Sequence, residues 1–315
     1  MSPSPTTVGH NPLTGITYKV LSVFVFMGMT SLIKFSGQLP AGQIVFFRSF
    51  FAIPPILVFL AYHGELRGAF RTKRPLGHFA RGFIGVGSMG LSFFALTRLP
   101  LPEAITLNYA QPLLVVVFSA IFLGETIRAY RWTAVTVGLI GVVIVSWPKL
   151  TLFGSGGVLG HDEAAGVVAA LTAAAVSAVV MLLIRSLVQS EKTSTIVLYF
   201  SLTASAFALL TIPFGWQSMS LAQTLALIGS GICGGLGQIF MTEAYRHAEA
   251  STVAPFEYTS LILGVAVGYF IFSEVPTIHV VTGGTIVVAA GIYIIWRERQ
   301  LGLERAAAKR VTPPQ

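Results

Sequence analysis

Three ionisable side chains stand well inside apolar runs of this sequence: Arg48, Glu243 and Glu257. An ionised group at the centre of a bilayer costs about 2.5–3.5 kcal/mol on insertion scales, so such residues mark solute paths, proton relays or buried ion pairs. Arg48, about six residues into its run, is a substrate-binding candidate, or else snorkels to the membrane surface or sits in a structural ion pair. Glu243 can couple transport to protons, or sit at the membrane surface against Arg246. Glu257 is the foremost candidate for both substrate binding and coupling, because its run holds no other charge. Amides and phenols surround these positions. Asn108 and Gln111 are spaced i, i+3, which puts them on one face of a helix; Tyr109, Gln238 and Tyr258 add a further amide and two rings. Amides can orient the polar edge of a ligand, and phenol rings can stack on a flat one. The candidate binding set is therefore Arg48, Asn108, Tyr109, Gln111, Gln238, Glu257 and Tyr258, with Glu257 and Glu243 as coupling candidates. The plain alternative for the polar members is interhelical hydrogen bonding, about 0.6 kcal/mol each. Val116 is assigned to a packing face.

Other patterns carry no chemistry. Gly85-Val86-Gly87-Ser88-Met89-Gly90 has the spacing of a dinucleotide loop, but it lies in an apolar run with no strand before it and reads as helix packing. Gly231/Gly235 and Gly264/Gly268 are spaced for close helix contact. No Walker lysine, His-Glu-x-x-His or Gly-x-Ser-x-Gly motif occurs, and His78, His247 and His279 lack ligand spacing, so no metal, no cofactor and no enzyme activity is expected. Cys233 is the single cysteine, which rules out an intrachain disulfide.

The elements that must position these residues are transmembrane. Of 315 residues, 54% are hydrophobic and 10% charged, against about 25% charged in soluble domains. So few charges cannot cover a water-facing surface. Apolar runs predict ten spans, near 16–35, 43–62, 77–97, 103–122, 131–148, 164–184, 194–214, 221–243, 252–272 and 278–296. If both termini are cytoplasmic, segments 63–76, 123–131, 185–193, 244–251 and 297–315 carry fourteen of the 20 Lys and Arg. The opposite side then carries only Lys34, Arg98 and Lys149. That asymmetry is what the positive-inside rule requires. The net charge of +8 follows from this topology, and no basic run is interleaved with aromatics, so nucleic acid is not expected.

Sliding the chain on itself by 149 residues sets Gly85 on Gly234, Tyr109 on Tyr258, Asn108 on Glu257 and Glu125 on Glu274. Five spans per half is an odd number, so repeated halves would sit in opposite orientations, with a binding site near the midplane between them. Asn108 would then lie in the outer half of its span and Glu257 in the inner half of its own. Glu125, with Arg128 and Arg131, would cap span four and pair with the basic 67–74 loop.

The stretch from Arg81 to Pro148 contains Phe94-Ala95-Leu96, Leu99-Pro100-Leu101, Ala110-Gln111-Pro112, Leu123-Gly124-Glu125 and a closing Gly138-x-x-Gly141. In this order and spacing it resembles an EamA domain of the drug/metabolite transporter superfamily, and Leu221 to Ile295 resembles its diverged partner. The second repeat departs in having Ser273-Glu274 for Gly-Glu, and Leu261 where Pro112 would match, which puts the bend of span nine in doubt. The resemblance implies an all-α membrane protein of ten transmembrane helices in two inverted five-helix repeats. It would run as a tail 1–15, a first repeat 16–148, a linker 149–163, a second repeat 164–296 and a basic tail 297–315. It further implies secondary transport by alternating access in a bacterial inner membrane, with a small-molecule substrate and the bilayer as partners; a homodimer stays open. Aromatic rings and amides around one or two carboxylates suit riboflavin or a similar flat polar heterocycle; an amino-acid or metabolite exporter is the alternative, and a channel the rival class.

Overall fold

The computed structural model describes residues 12–124, 128–150, 158–187, 190–247 and 254–311. All regular structure among them is helical, as it must be where lipid offers the backbone no hydrogen-bond partners. The helices are α1 (Pro12–Phe35), α2 (Ala41–Phe50), α3 (Ile53–Tyr62), α4 (Leu66–Ala69), α5 (Pro75–Arg98), α6 (Leu101–Asn108) and α7 (Ala110–Leu123). They continue with α8 (Ala129–Leu150), α9 (Val158–Leu187), α10 (Thr193–Leu209), α11 (Leu221–His247), α12 (Thr259–Phe272) and α13 (Ile278–Val311). Among the described residues, 8 segments are long and apolar enough to cross a membrane. The seventh and ninth expected spans are shorter apolar helices, Ser194–Leu209 and Phe256–Phe272. The seventh stops early because Pro213 lies in a 3-10 turn, Ile212–Phe214, that cannot continue α10. The ninth opens with its own 3-10 turn, Ala254–Tyr258.

The packing exchanges under a swap of halves. α1 lies along α11, and α5 along α9, the same relation with first and second halves interchanged. α2 packs on α10, and α8 on α13, each pairing an element with its own counterpart. At the last of these the backbones touch: a Cβ on Gly141 would stand 2.7 Å from the Gly283 carbonyl oxygen, and one on Gly283 would stand 2.5 Å from that of Gly141. Gly231 and Gly235 likewise meet the backbone around Phe47 and Ala52, so these small residues do serve packing. The interior between the halves holds Leu101, Leu107, Val142, Val145 and Ala174, all buried. Large apolar side chains such as Phe83, Phe214, Ile262 and Phe270 face outward. In water such a surface would aggregate; as a belt it is solvated by acyl chains, and the protein is a multi-pass membrane protein.

Three spans are interrupted, and each interruption has a local cause or marker. Pro54 and Pro55 lack the N–H groups that would carry α2 into α3, so the chain turns at Phe51–Ala52. Pro112 has no N–H to give the Asn108 carbonyl, and the span breaks between α6 and α7 at Tyr109, with φ −68° and ψ −6°. The matching break falls at Tyr258, with φ −67° and ψ −12°. It forms although Leu261 stands where Pro112 would match, so the missing proline does not straighten the span. The far ends match too. α7 ends on Gly124 at φ 63°, whose N–H donates to the Ser119 carbonyl, and α12 ends on Ser273 at φ 56°, whose N–H donates to the Gly268 carbonyl.

Candidate functional site

The two breaks face each other. The rings of Tyr109 and Tyr258 lie 5.1 Å apart between centroids, inclined by 40°. The Tyr109 hydroxyl donates to the Glu257 carbonyl oxygen at 3.0 Å and also contacts the Ser260 hydroxyl. Around this junction opens a cavity of about 430 Å³, and Asn108, Tyr109, Gln111, Glu257 and Tyr258 all line it. Five of the seven sequence-derived binding candidates are thus brought to one place. Asn108 and Gln111 lie on either side of the break at Tyr109, and both line this cavity. Gly291 leaves room for the Tyr258 hydroxyl, which a side chain there would strike.

The cavity lies toward one end of the bundle. Met181, Met241, Ile294 and Ile295 line it, near the ends of α9 and α11 and the last apolar turns of α13. A smaller cavity of about 190 Å³ lies toward the opposite end, against Met29, Leu96, Ala104 and Ala170. Asn108 lines both. At the smaller cavity's end a set of polar contacts ties α1 to the chain after α5 and after α12. Lys34 Nζ lies 2.7 Å from Glu274 Oε1 and donates to the Leu99 carbonyl at 2.6 Å, while the Leu101 N–H donates to Glu274 Oε2 at 2.8 Å.

Glu257 is not the isolated acid that its apolar run suggested. Lys19, on α1, forms an ion pair with it. Lys19 is 1% exposed, whereas the Glu257 side chain is 45% exposed, toward the cavity. A buried ammonium in a span is tolerated only with a partner. In the sequence Lys19 is a lone basic residue near the start of the run 16–35, and nothing along the chain says what it faces.

The remaining candidates are elsewhere. Gln238 borders a minor apolar crevice of about 30 Å³ with Phe59 and Val197. Glu243 sits at the end of α11, with Oε2 3.7 Å from His247 Nδ1. Arg48 is buried at 6% exposure, apart from the larger cavity's lining. Val116, assigned to packing from its sequence position, in fact lines the larger cavity, on the helical face it shares with Tyr109, Pro112 and Leu113. Glu125 lies outside the described residues. The acid that the structure sets against the 67–74 loop is Glu191, which accepts the Thr72 hydroxyl at 2.9 Å and the Lys73 and Arg74 N–H groups at 2.7 and 3.0 Å. Burial alone would raise its pKa, but these hydrogen bonds and the nearby His78 outweigh that and hold it below the usual carboxylate value. Gly85, Gly87 and Gly90 lie within α5; Gly85 packs closely on Phe200, whereas Gly87 and Gly90 meet no neighbouring helix. Among the described residues, no group of three or more His, Cys, Asp or Glu could hold a metal ion.

The sequence matches the EamA-like transporter family twice, at residues 13–147 and 164–297. It is 34% identical over 288 residues to the pseudopaline exporter CntI of Pseudomonas aeruginosa, covering 89% of this chain and 95% of the relative. It is 29% identical to a riboflavin transporter of Vibrio cholerae, over 96% of this chain and 100% of the relative. It is 27% identical to an S-adenosylmethionine uptake transporter of Rickettsia felis, over 91% and 94%. A solved crystal structure superposes on 92% of this chain and 99% of its own with a TM-score of 0.64 at 18% identity, a likeness of fold. The relatives are named as transporters, each for a metabolite. With two matched repeats, helices that exchange contacts between halves and, at their junction, a mostly apolar cavity that carries Asn108, Gln111 and Glu257, this chain belongs to the EamA-like transporter family, and it is a membrane transporter of a small metabolite.

Proposed function

We propose that the protein is a secondary carrier that moves a flat, polar heterocycle, riboflavin or a molecule like it, by alternating access across a bacterial inner membrane with both termini in the cytoplasm. The observation that carries this reading is Asn108, which lines two cavities in opposite halves of the bundle, beside the facing breaks at Tyr109 and Tyr258. A solute handed from one cavity to the other would pass this point. The larger cavity, about 430 Å³, falls within the about 300–1,000 Å³ usual for small-molecule sites. Its tyrosine pair suits stacking on a ring, and Asn108 and Gln111 suit the ring's polar edge. The tie of Lys34 to Glu274 closes one end, so this conformation opens toward the side of His247 and Arg297. The basic asymmetry of the loops supports that side as the cytoplasm. Glu257, held by Lys19, is the coupling group: a proton or a cationic part of the solute would compete with Lys19 for it. Nothing in this scheme requires catalysis on the solute.

A second reading, an exporter of amino acids or related metabolites, is favoured by the likeness to the pseudopaline exporter. Uptake and efflux in everted and right-side-out vesicles, against riboflavin, S-adenosylmethionine, amino acids and nucleosides, separates the two. Saturable riboflavin flux, inhibited by other flat heterocycles, is the expected result. Saturable amino-acid flux that riboflavin leaves untouched would replace the first reading by the second, and unitary conductance steps in planar bilayers would replace both by a channel.

A further inference from the structure

We infer that Arg48 and Arg81 together form a binding site for an oxyanion, a carboxylate or phosphate group, inside the membrane-spanning bundle. Arg48 is on α2 and Arg81 on α5, two helices in contact. Both arginines are more than nine-tenths buried, at 6% and 9% exposure. Among the described residues, Arg48 Nε and Arg81 Nε and Nη1 are buried without any hydrogen-bond partner, and no carboxylate pairs with either side chain. On packed helices, two such charges repel each other across a medium of low dielectric. The Arg81 guanidinium stacks on Phe200, 4.1 Å from the ring centroid. That contact orients the fork but supplies no negative charge. Arg48 Nε packs closely on Gly234, where a Cβ would stand 3.3 Å from it and 3.2 Å from Met29 Sδ. Met29 is itself part of the wall of the smaller cavity, so the Arg48 head lies just behind that wall.

Two buried like charges with unmet donors are a poor way to hold a fold together, because each pays desolvation and neither is repaid. They are a good way to hold an oxyanion. Guanidinium forks match the geometry of carboxylate and phosphate oxygens, and one anion satisfies donors from both side chains while cancelling their repulsion. Lys19 shows the contrast within the same chain: buried in a span, it has its acid. The anion can be part of the transported solute or a free ion exchanged against it; the chemistry of the site is the same.

The test uses the purified full-length protein in zwitterionic detergent, with sodium phosphate or sodium acetate replacing sodium chloride at constant ionic strength. At least one of the two oxyanions should raise the thermal midpoint of the wild-type protein in the millimolar range. Arg48→Gln and Arg81→Gln should each weaken that effect at least tenfold, and without the oxyanion their midpoints should equal or exceed the wild type's, since the repulsion is gone. Arg48→Lys, which keeps the charge and loses the fork, should also weaken the effect while folding normally. A wild-type midpoint indifferent to both ions, or a shift that survives unchanged in all three variants, would overturn the assignment. Proteoliposomes loaded with phosphate or acetate identify the source. Faster solute uptake against internal oxyanion marks a counter-ion, and indifference marks an oxyanion carried by the solute. Because the midpoint needs no transported substrate, this result stands apart from the heterocycle assignment.

Discussion

Lys19 and Glu257, 238 positions apart, form an ion pair that joins the first helix of one repeat to the broken span of the other. The pair is lopsided: the ammonium is sealed in the bundle and the carboxylate borders the larger cavity. A ligand or proton arriving in the cavity therefore reaches the acid first, and any weakening of the pair leaves a buried cation that favours movement of α1.

This asymmetry sets the first prediction. Glu257→Gln takes the carboxylate away from Lys19 and should lower stability by about 1–3 kcal/mol, less than the about 3–5 kcal/mol of a fully buried pair because Glu257 is half exposed. Lys19→Met combined with Glu257→Gln should restore much of that stability, read as thermal midpoint in detergent, yet leave transport without dependence on the proton gradient. If the double variant keeps wild-type gradient dependence, Glu257 is a structural partner only.

The second concerns the cavity wall. Asn108→Ala and Tyr258→Ala should each raise the apparent Kd for the transported solute by about 5- to 100-fold, corresponding to about 1–3 kcal/mol for a lost polar or stacking partner. Expression should stay near normal. Val116 cannot serve as the control, since it lines the cavity. Ile140, exposed on α8, can, and Ile140→Ala should change affinity by less than about twofold. Wild-type affinity in both cavity variants would move the site elsewhere.

The third concerns the matched helix ends. Ser273 adopts φ 56° where its counterpart Gly124 has φ 63°. A side chain in this region is strained, so Ser273→Gly should stabilise by about 0.5–1 kcal/mol and Gly124→Ala should destabilise by about 1 kcal/mol. Opposite signs in the two thermal midpoints are the expected outcome; equal signs would mean that the neighbouring loops, rather than backbone strain, dominate.

The fourth concerns pH. Glu191 has a folded-state pKa below the ordinary carboxylate value. A depressed acid contributes stability that is present above its unfolded pKa and is lost as pH falls through the folded one. The contribution of the link from Glu191 to Thr72, Lys73 and Arg74 should therefore be full at neutral pH, begin to fall below the ordinary glutamate pKa of about 4.3 and vanish as pH passes the lower folded value. Glu191→Gln should flatten the acid limb of a midpoint-against-pH curve and leave the neutral plateau lower. An acid limb unchanged by the substitution would assign it to other carboxylates.

The fifth concerns orientation. Reporter fusions after Arg74, Arg131, Lys192 and Arg305 should report the cytoplasm, and those after Ser155 and Ser218 the periplasm, as the loop charges require. A periplasmic signal at Arg131 or Lys192 would overturn the span order.

The sequence alone was enough for the membrane class, the positions of the apolar segments and the pairing of Tyr109 with Tyr258. Each rests on information that runs along the chain: composition, run length and self-similarity at one offset. The break at Tyr109 was latent in Pro112 for the same reason, as a missing N–H is a local fact. Which side chains face each other was not legible. In a soluble helix the apolar stripe marks the inward face, but here lipid is as apolar as the interior, so periodicity does not say which face of α1 turns Lys19 inward or which face of α7 presents Val116. Only the tertiary structure set Lys19 on Glu257, left Arg48 and Arg81 without an acid among the described residues, and placed Asn108 between two cavities, because those relations depend on helix rotation and on the angle of each break, which are decided by packing between the halves.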